Sequence, residues 1–244
     1  MDHTESAPLM LRAGDLTPVW YEGVALWLIR LDHRRVRSQA SCLSDEEHRR
    51  SASFRFDKDR QRYLAAHVAL RERLAVFVGC PPEQLAFEVG EHGKPRLAKG
   101  SSGAARVHFN LSHSEDLALV ALSEEEEVGV DLEVIRAVED APALAASVFG
   151  VNERRVLSEL SGAQRDRAFL QGWTRKEACL KALGTGLSLS PLGFEAGLQD
   201  TVAEVVIDTP RYRERLALRS LAVGGPADTE TPWVGAVARR LGRA

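Results

Sequence analysis

The sequence predicts an α+β fold made of two similar lobes that meet near residue 115, and three observations carry the prediction. Short runs such as Val107–Leu111 and Val128–Glu133 alternate in polarity, the period of a strand with one buried face. Longer runs, about Asp59–Val78 and Gln164–Leu183, carry helical patterns and close on glycine. Both kinds of run occur in each half, which reads as helices plus antiparallel strands on either side of the junction. The expected units are therefore an N-terminal lobe, 1–115, and a C-terminal lobe, 116–244. No internal repeat is visible, so periodicity does not establish symmetry between them.

A chain of 244 residues suits one large domain or two small ones packed together. With 44% hydrophobic residues it has an ordinary globular composition, and only 1–14 and 224–232 are expected to lack order. A net charge of -3 gives no global attraction to nucleic acid or to an anionic membrane, so anions must be met by local clusters of Arg, Lys and His. Cys42, Cys80 and Cys179 are odd in number and widely spaced, which argues against a disulfide framework or a zinc site. The N-terminus lacks the basic start and apolar stretch of a signal peptide, and no later run reaches the ~18 apolar residues of a membrane span. A soluble, cytoplasmic protein is the expectation.

Along the chain, Val24–Leu31 reads as a strand, and Ser44 followed by Glu47 as a capping box that opens a helix bearing Arg49, Arg50 and Arg55. The helix ending at Val78 carries Leu64, Val68 and Leu74 on its apolar side, with Arg62, Arg71 and Arg73 decorating it; Gly79 stops it. His92–Arg96 has turn chemistry. Val107–Leu111 is a strand that Ser112–Ser114 breaks, Leu117–Leu122 is a buried strand, and Glu124–Glu127 form a solvated turn with no assigned role. Helices are expected over Pro142–Phe149, Asn152–Leu160 and Gln164–Leu183, then strands at Val202–Ile207, Leu216–Leu221 and Trp233–Val237.

Two segments concentrate chemistry. In Val128–Glu133, Asp131 and Glu133 point the same way; in the last long helix, Trp173, Glu177 and Lys181 recur every four residues on one side. Oxygen ligands of this kind suit Mg²⁺ held against a phosphorylated ligand. Singly, each signal has an ordinary reading. A half-exposed strand commonly carries two acids, and Glu177–Lys181 has the order of a surface salt bridge. Ser112–Ser114 serves a phosphate or a turn equally well. No phosphate-cradling GxxxxGKS or GxGxxG is present, and His113 has no nucleophile elbow beside it.

Taken in order, Arg71, GKP (93–95), FNLSHS (109–114), VGVDLE (128–133) and WTRKEACLKALGTGL (173–187) resemble the Sfp-type 4′-phosphopantetheinyl transferases over residues 44–194. The resemblance implies a pseudo-twofold fold, each lobe a small antiparallel sheet with a long helix, and a monomer with coenzyme A between the lobes. It implies transfer of 4′-phosphopantetheine from coenzyme A to a serine of an acyl or peptidyl carrier protein, with release of 3′,5′-ADP. Asp131, Glu133 and Glu177 would be the Mg²⁺ ligands. Lys181 would neutralise or protonate the leaving group, and Glu177 is also a candidate general base. His113, with Ser112 and Pro95 in the flanking motifs, looks like the family's phosphate-binding histidine. Arg71 and Lys94 look like contacts to the 3′-phosphate and adenine side. Arg50 is a softer match, since Glu47 stands where some members have lysine. Lys176 turns about 100° from Glu177 and ranks below Lys181. Two other readings stay open at this point: another Mg²⁺-dependent transferase acting on a nucleotide diphosphate, and a catalytically silent carrier-binding module.

Overall fold

The computed structural model describes residues 8–90, 92–100, 106–223 and 231–243. Most of the segments expected to lack order therefore lie outside the described residues, although Leu9–Leu11, within 1–14, forms strand β1.

The first sheet takes β2 (Val19–Tyr21), β3 (Val24–Arg30), β7 (Leu117–Ser123) and β6 (His108–Ser114) in that order, all antiparallel. Two helices, α1 (His33–Gln39) and α2 (Asp45–Ala52), precede the long α3 (Asp57–Val78). Ser44 and Glu47 make the expected capping box, and Gly79 ends α3 in the left-handed conformation. β7 shows how the lobe is layered: Val120 and Leu122 pack with Leu70 and Leu74 of α3, while Leu117, Leu119 and Ala121 face the other way. A small hairpin pairs β4 (Phe87–Val89) with β5 (Pro95–Leu97); of the turn expected at His92–Arg96, His92, Gly93 and Lys94 precede β5, while Pro95 and Arg96 belong to it.

The second sheet runs β1, β10 (Arg213–Val223), β11 (Trp233–Arg243), β8 (Val128–Val134), with β9 (Val202–Asp208) also on β10. Helices α4 (Ala141–Val148), α5 (Val151–Ser158) and α6 (Gly162–Leu183) connect β8 to β9. α6 buries Ala178, Cys179 and Ala182 against Leu216, Leu218, Ala236 and Ala238. The opposite face of this sheet, Val128, Val130, Leu132 and Trp233, meets Leu26, Leu28 and Leu119 of the first sheet in one core. Two 22-residue helices, α3 and α6, thus cover the outer faces of two sheets packed on each other, the α+β architecture expected.

Three expectations are corrected. Ser112–Ser114 do not break the strand: β6 continues to Ser114, and the turn is the pair Glu115–Asp116, with Glu115 at φ 49°. Polar residues persist in β6 because they cover the free edge of β8. Asn110 Oδ1 accepts from Val130 N at 2.9 Å, and Ser114 Oγ accepts from Val134 N at 3.1 Å, so amides with no strand partner are satisfied by side chains. The expected lobe boundary at 115/116 falls inside the β6–β7 hairpin. Hydrogen bonding puts β7 with the first sheet and the passage between sheets at 124–127, while β1 pairs in parallel with β10 of the second sheet. Finally, Arg62 and Arg71 do not decorate α3; both are buried.

Candidate active site

The site begins with a glycine. A Cβ at Gly129 would lie 2.1 Å from the Ala178 carbonyl oxygen and 2.2 Å from the Ala182 nitrogen, so only glycine lets the backbone of α6 rest on β8. The alternation of β8 then turns Asp131 and Glu133 to the same side as Gly129, toward the helix face that bears Glu177 and Lys181. Asp131 is 6% exposed; Lys181 Nζ donates to its Oδ1 at 2.6 Å, and Ser112 Oγ donates to the same oxygen at 2.7 Å. Its second oxygen, Oδ2, is buried with no partner. Glu133 accepts from Ser114 Oγ at 2.9 Å and from Arg136 at 2.8 Å.

Burial pushes the Asp131 carboxyl above the usual carboxylate range, against the pull of Lys181 and Ser112. Glu177 is pushed up as well, by burial first and then by the Asp131 charge, with Glu133 adding and Lys181 opposing. Two carboxyls beside one ammonium, Asp131 and Glu177, are thus pushed toward their protonated forms, with the Glu133 charge adding to both. Among the described residues no three carboxylate, imidazole or thiol groups are gathered closely enough to hold a metal ion as they stand. The donor chemistry nevertheless fits a hard divalent cation, because an orphaned carboxylate oxygen and mutually repelling acids are what such an ion would relieve. Lys181 engages the other oxygen of Asp131, Oδ1, and leaves Oδ2 unpartnered.

A cavity of about 360 Å³ opens beside this cluster, lined by His92, Lys94, Pro95, Asn110, Glu177 and Lys181 among others. His113, next to Ser112 on β6, remains exposed, while the protein packed around it, then Lys181 and Arg62, disfavours its protonation. Arg50 is exposed on α2. Pro95 opens β5 on the cavity wall.

Two cations expected to meet phosphate are engaged otherwise. Arg71, 1% exposed, donates to Glu47 at 2.7 Å and to the carbonyls of Pro82 and Leu85, and its guanidinium stacks over Phe87. The departure at Glu47 and the burial of Arg71 are one fact: each supplies the other's counter-charge. Lys94 donates to Glu127 at 2.6 Å and to the Val128 carbonyl at 2.9 Å. Glu127, assigned no role from sequence, is held near pKa about 2 by His108 and Lys94, against burial. Arg62, also missed, clamps the β6–β7 turn by donating to Asp116 at 2.9 Å and to Glu115. Lys176 is buried on the far side of α6, donating to Glu153 at 2.9 Å and to the Pro191 carbonyl at 2.7 Å. Only the three-dimensional partner distinguishes such charges from surface ones.

Comparison with known proteins bears on both lobes. Residues 32–125 match the family described as 4′-phosphopantetheinyl transferase, N-terminal, and residues 127–221 match the 4′-phosphopantetheinyl transferase superfamily. The 4′-phosphopantetheinyl transferase HetI of Nostoc sp. is 37% identical over 167 residues, 68% of this chain and 70% of that protein. The 4′-phosphopantetheinyl transferase psf-1 of Bacillus pumilus is 32% identical over 180 residues, 72% and 74% of the two chains. The putative 4′-phosphopantetheinyl transferase slr0495 of Synechocystis sp. is 37% identical over 163 residues, 67% of this chain and 65% of that protein, a little under two thirds of its length. With both lobes matched in order and relatives of 37% and 32% identity covering 68% and 72% of it, the chain belongs to the 4′-phosphopantetheinyl transferase superfamily.

Proposed function

We propose that this chain transfers the 4′-phosphopantetheine group of coenzyme A to a serine hydroxyl of an acyl or peptidyl carrier protein, with Mg²⁺, releasing 3′,5′-ADP. The observation that carries the reading is the set around Asp131: an unpartnered buried carboxylate oxygen, Lys181 at 2.6 Å, and Glu177 pushed up in a cavity beside them. Asp131, Glu133 and Glu177 would hold the cation, which supplies neutralisation of pyrophosphate charge when bound.

The rest is chemistry of the chain's own side chains. The serine oxygen attacks the phosphorus that bears pantetheine, and the bond from that phosphorus to the ADP oxygen breaks. The hydroxyl proton passes to Glu177, directly or through water; a carboxyl of raised affinity for protons is suited to receive it. Lys181, 29% exposed and partly withdrawn from water, offsets the charge that grows on the leaving oxygen. His113 and Arg50 remain the proposed phosphate contacts. We read the chain as an Sfp-type, monomeric and cytoplasmic member; no helix among the described residues is long and apolar enough to cross a membrane.

The test is incubation with coenzyme A, Mg²⁺ and a panel of apo carrier proteins, followed by intact-mass spectrometry with an EDTA control. A gain of one phosphopantetheine that EDTA removes is the expected result. Absence of coenzyme A binding would sink the reading.

A further inference from the structure

The turn between β4 and β5 reaches across to the second lobe, and Lys94 is the residue that makes the crossing. Its side chain is 8% exposed. An ammonium has three donors, and three acceptors surround this one: Glu127 Oε2 at 2.6 Å, Val128 O at 2.9 Å and Ala182 O at 3.5 Å. These come from the passage between the sheets, the start of β8 and the last turn of α6. The Ala182 carbonyl is one of those a helix leaves open at its C-terminus, where positive charge is favoured. Gly184, at φ 64°, is the C-cap of α6, and a Cβ there would come within 3.1 Å of Lys94 Cδ. Gly186 stands likewise against the His92 carbonyl, which a Cβ would approach to 3.3 Å. Both glycines are shaped to admit the turn. Glu127 is fixed in its own right, with His108 Nδ1 at 3.2 Å and Arg96 at 3.6 Å from Oε1.

We propose that Lys94 and Glu127 are positioning residues, an ion-pair latch that docks the β4–β5 turn on the C-terminal end of α6 and so builds the wall of the cavity beside Glu177 and Lys181. In the arrangement described, Lys94 has no donor left for a ligand phosphate. Its influence on the reaction runs through the placement of the turn and of the helix end. The inference rests on the proposed function for its kinetic consequences and on the geometry alone for its structural ones.

The test compares the whole chain with Lys94→Met, Glu127→Gln and the double variant, by kcat and KM for coenzyme A on an apo carrier, melting temperature, and amide hydrogen exchange. The latch predicts that each single change lowers kcat/KM by about 10- to 100-fold, as loosened placement does. The double variant falls no further than the worse single, because both remove the same contact. Exchange at 92–97 and 184–186 quickens in every variant. The proposal is overturned if Lys94→Met raises KM for coenzyme A while Glu127→Gln lowers it or leaves it unchanged, since Lys94 would then be a direct phosphate contact. It is equally overturned if melting temperature drops while kcat and the exchange of these segments stay as in the parent. Should the parent transfer to no carrier, the activity reading fails and the exchange data alone decide the latch.

Discussion

Gly129→Ala is the sharpest test of how this site is assembled. The added methyl would meet the Ala178 carbonyl oxygen at 2.1 Å, the Ala182 nitrogen at 2.2 Å and the Lys181 carbonyl carbon at 2.8 Å. All three are backbone of α6, so no rotamer change relieves them. Ordinary contact requires opening the gap between helix and strand by about 1 Å, against a core in which Ala178, Cys179 and Ala182 are fully buried. Overpacking of this kind costs about 1–3 kcal/mol, and here it falls at the upper end. The same shift stretches the 2.6 Å Lys181–Asp131 contact, and a displacement of about 1 Å at a reacting constellation costs on the order of 100-fold in rate. Urea unfolding followed by tryptophan fluorescence reads the first effect, and kcat on an apo carrier reads the second. Gly172→Ala is the control on the same helix. Its methyl would press on the buried side chains of Leu198 and Phe149 rather than on the backbone that joins α6 to β8, so it too should cost stability, but its kcat should stay near that of the parent. A Gly129→Ala protein within about 0.5 kcal/mol and twofold of the parent would refute the argument that close approach of α6 to β8 sets the site.

Three further outcomes follow from the described contacts. Glu177→Gln should reduce transfer by about 10²–10⁴-fold while melting at the parent's temperature or above, because it removes a carboxyl that burial and the Asp131 and Glu133 charges push up; intact-mass kinetics and calorimetry read both. Glu47→Ala should destabilise by about 3–5 kcal/mol in urea, since it strands the Arg71 guanidinium in the core and dissolves the capping box of α2. Glu127, lowered from 4.5 to about 2, contributes stability that is present above pH 4.5 and lost as pH falls through its folded value. The gap in urea midpoint between the parent and Glu127→Gln should therefore be full at pH 6 and close toward pH 2; a gap that does not change with pH would remove the charge from the explanation.

What the sequence disclosed depended on how local the physics was. The capping box at Ser44 and Glu47, the glycine stop after Val78 and the alternation of Val128–Glu133 are decided within a few residues, and each is found where expected. Strand β1 was not legible, because three residues gain their conformation only by lying beside Leu221–Val223. Ser112 and Ser114 looked like strand breakers because polar residues usually leave a sheet; here they answer the open amide edge and the carboxylates of β8. For the candidate site, residue type and spacing put Asp131, Glu177 and Lys181 on facing sides of a strand and a helix, and the fold brings them together. Type and spacing did not reveal that Arg71 faces Glu47 or that Lys94 faces Glu127, since a side chain's charge says nothing of its counter-charge across the fold.

The parallel pairing of Leu9–Leu11 with Leu221–Val223 has a consequence for how the molecule is made. Leu9 and Leu221 lie 212 positions apart in sequence, and contacts of such separation close slowly, so β1 should dock after the local hairpin of β10 and β11 has formed. Until then the end of β10 presents unpaired backbone to other chains, an invitation to misassembly that the returning segment withdraws. The two halves are thus clasped rather than hinged in sequence. Expressed apart, the later half should be the stickier of the two.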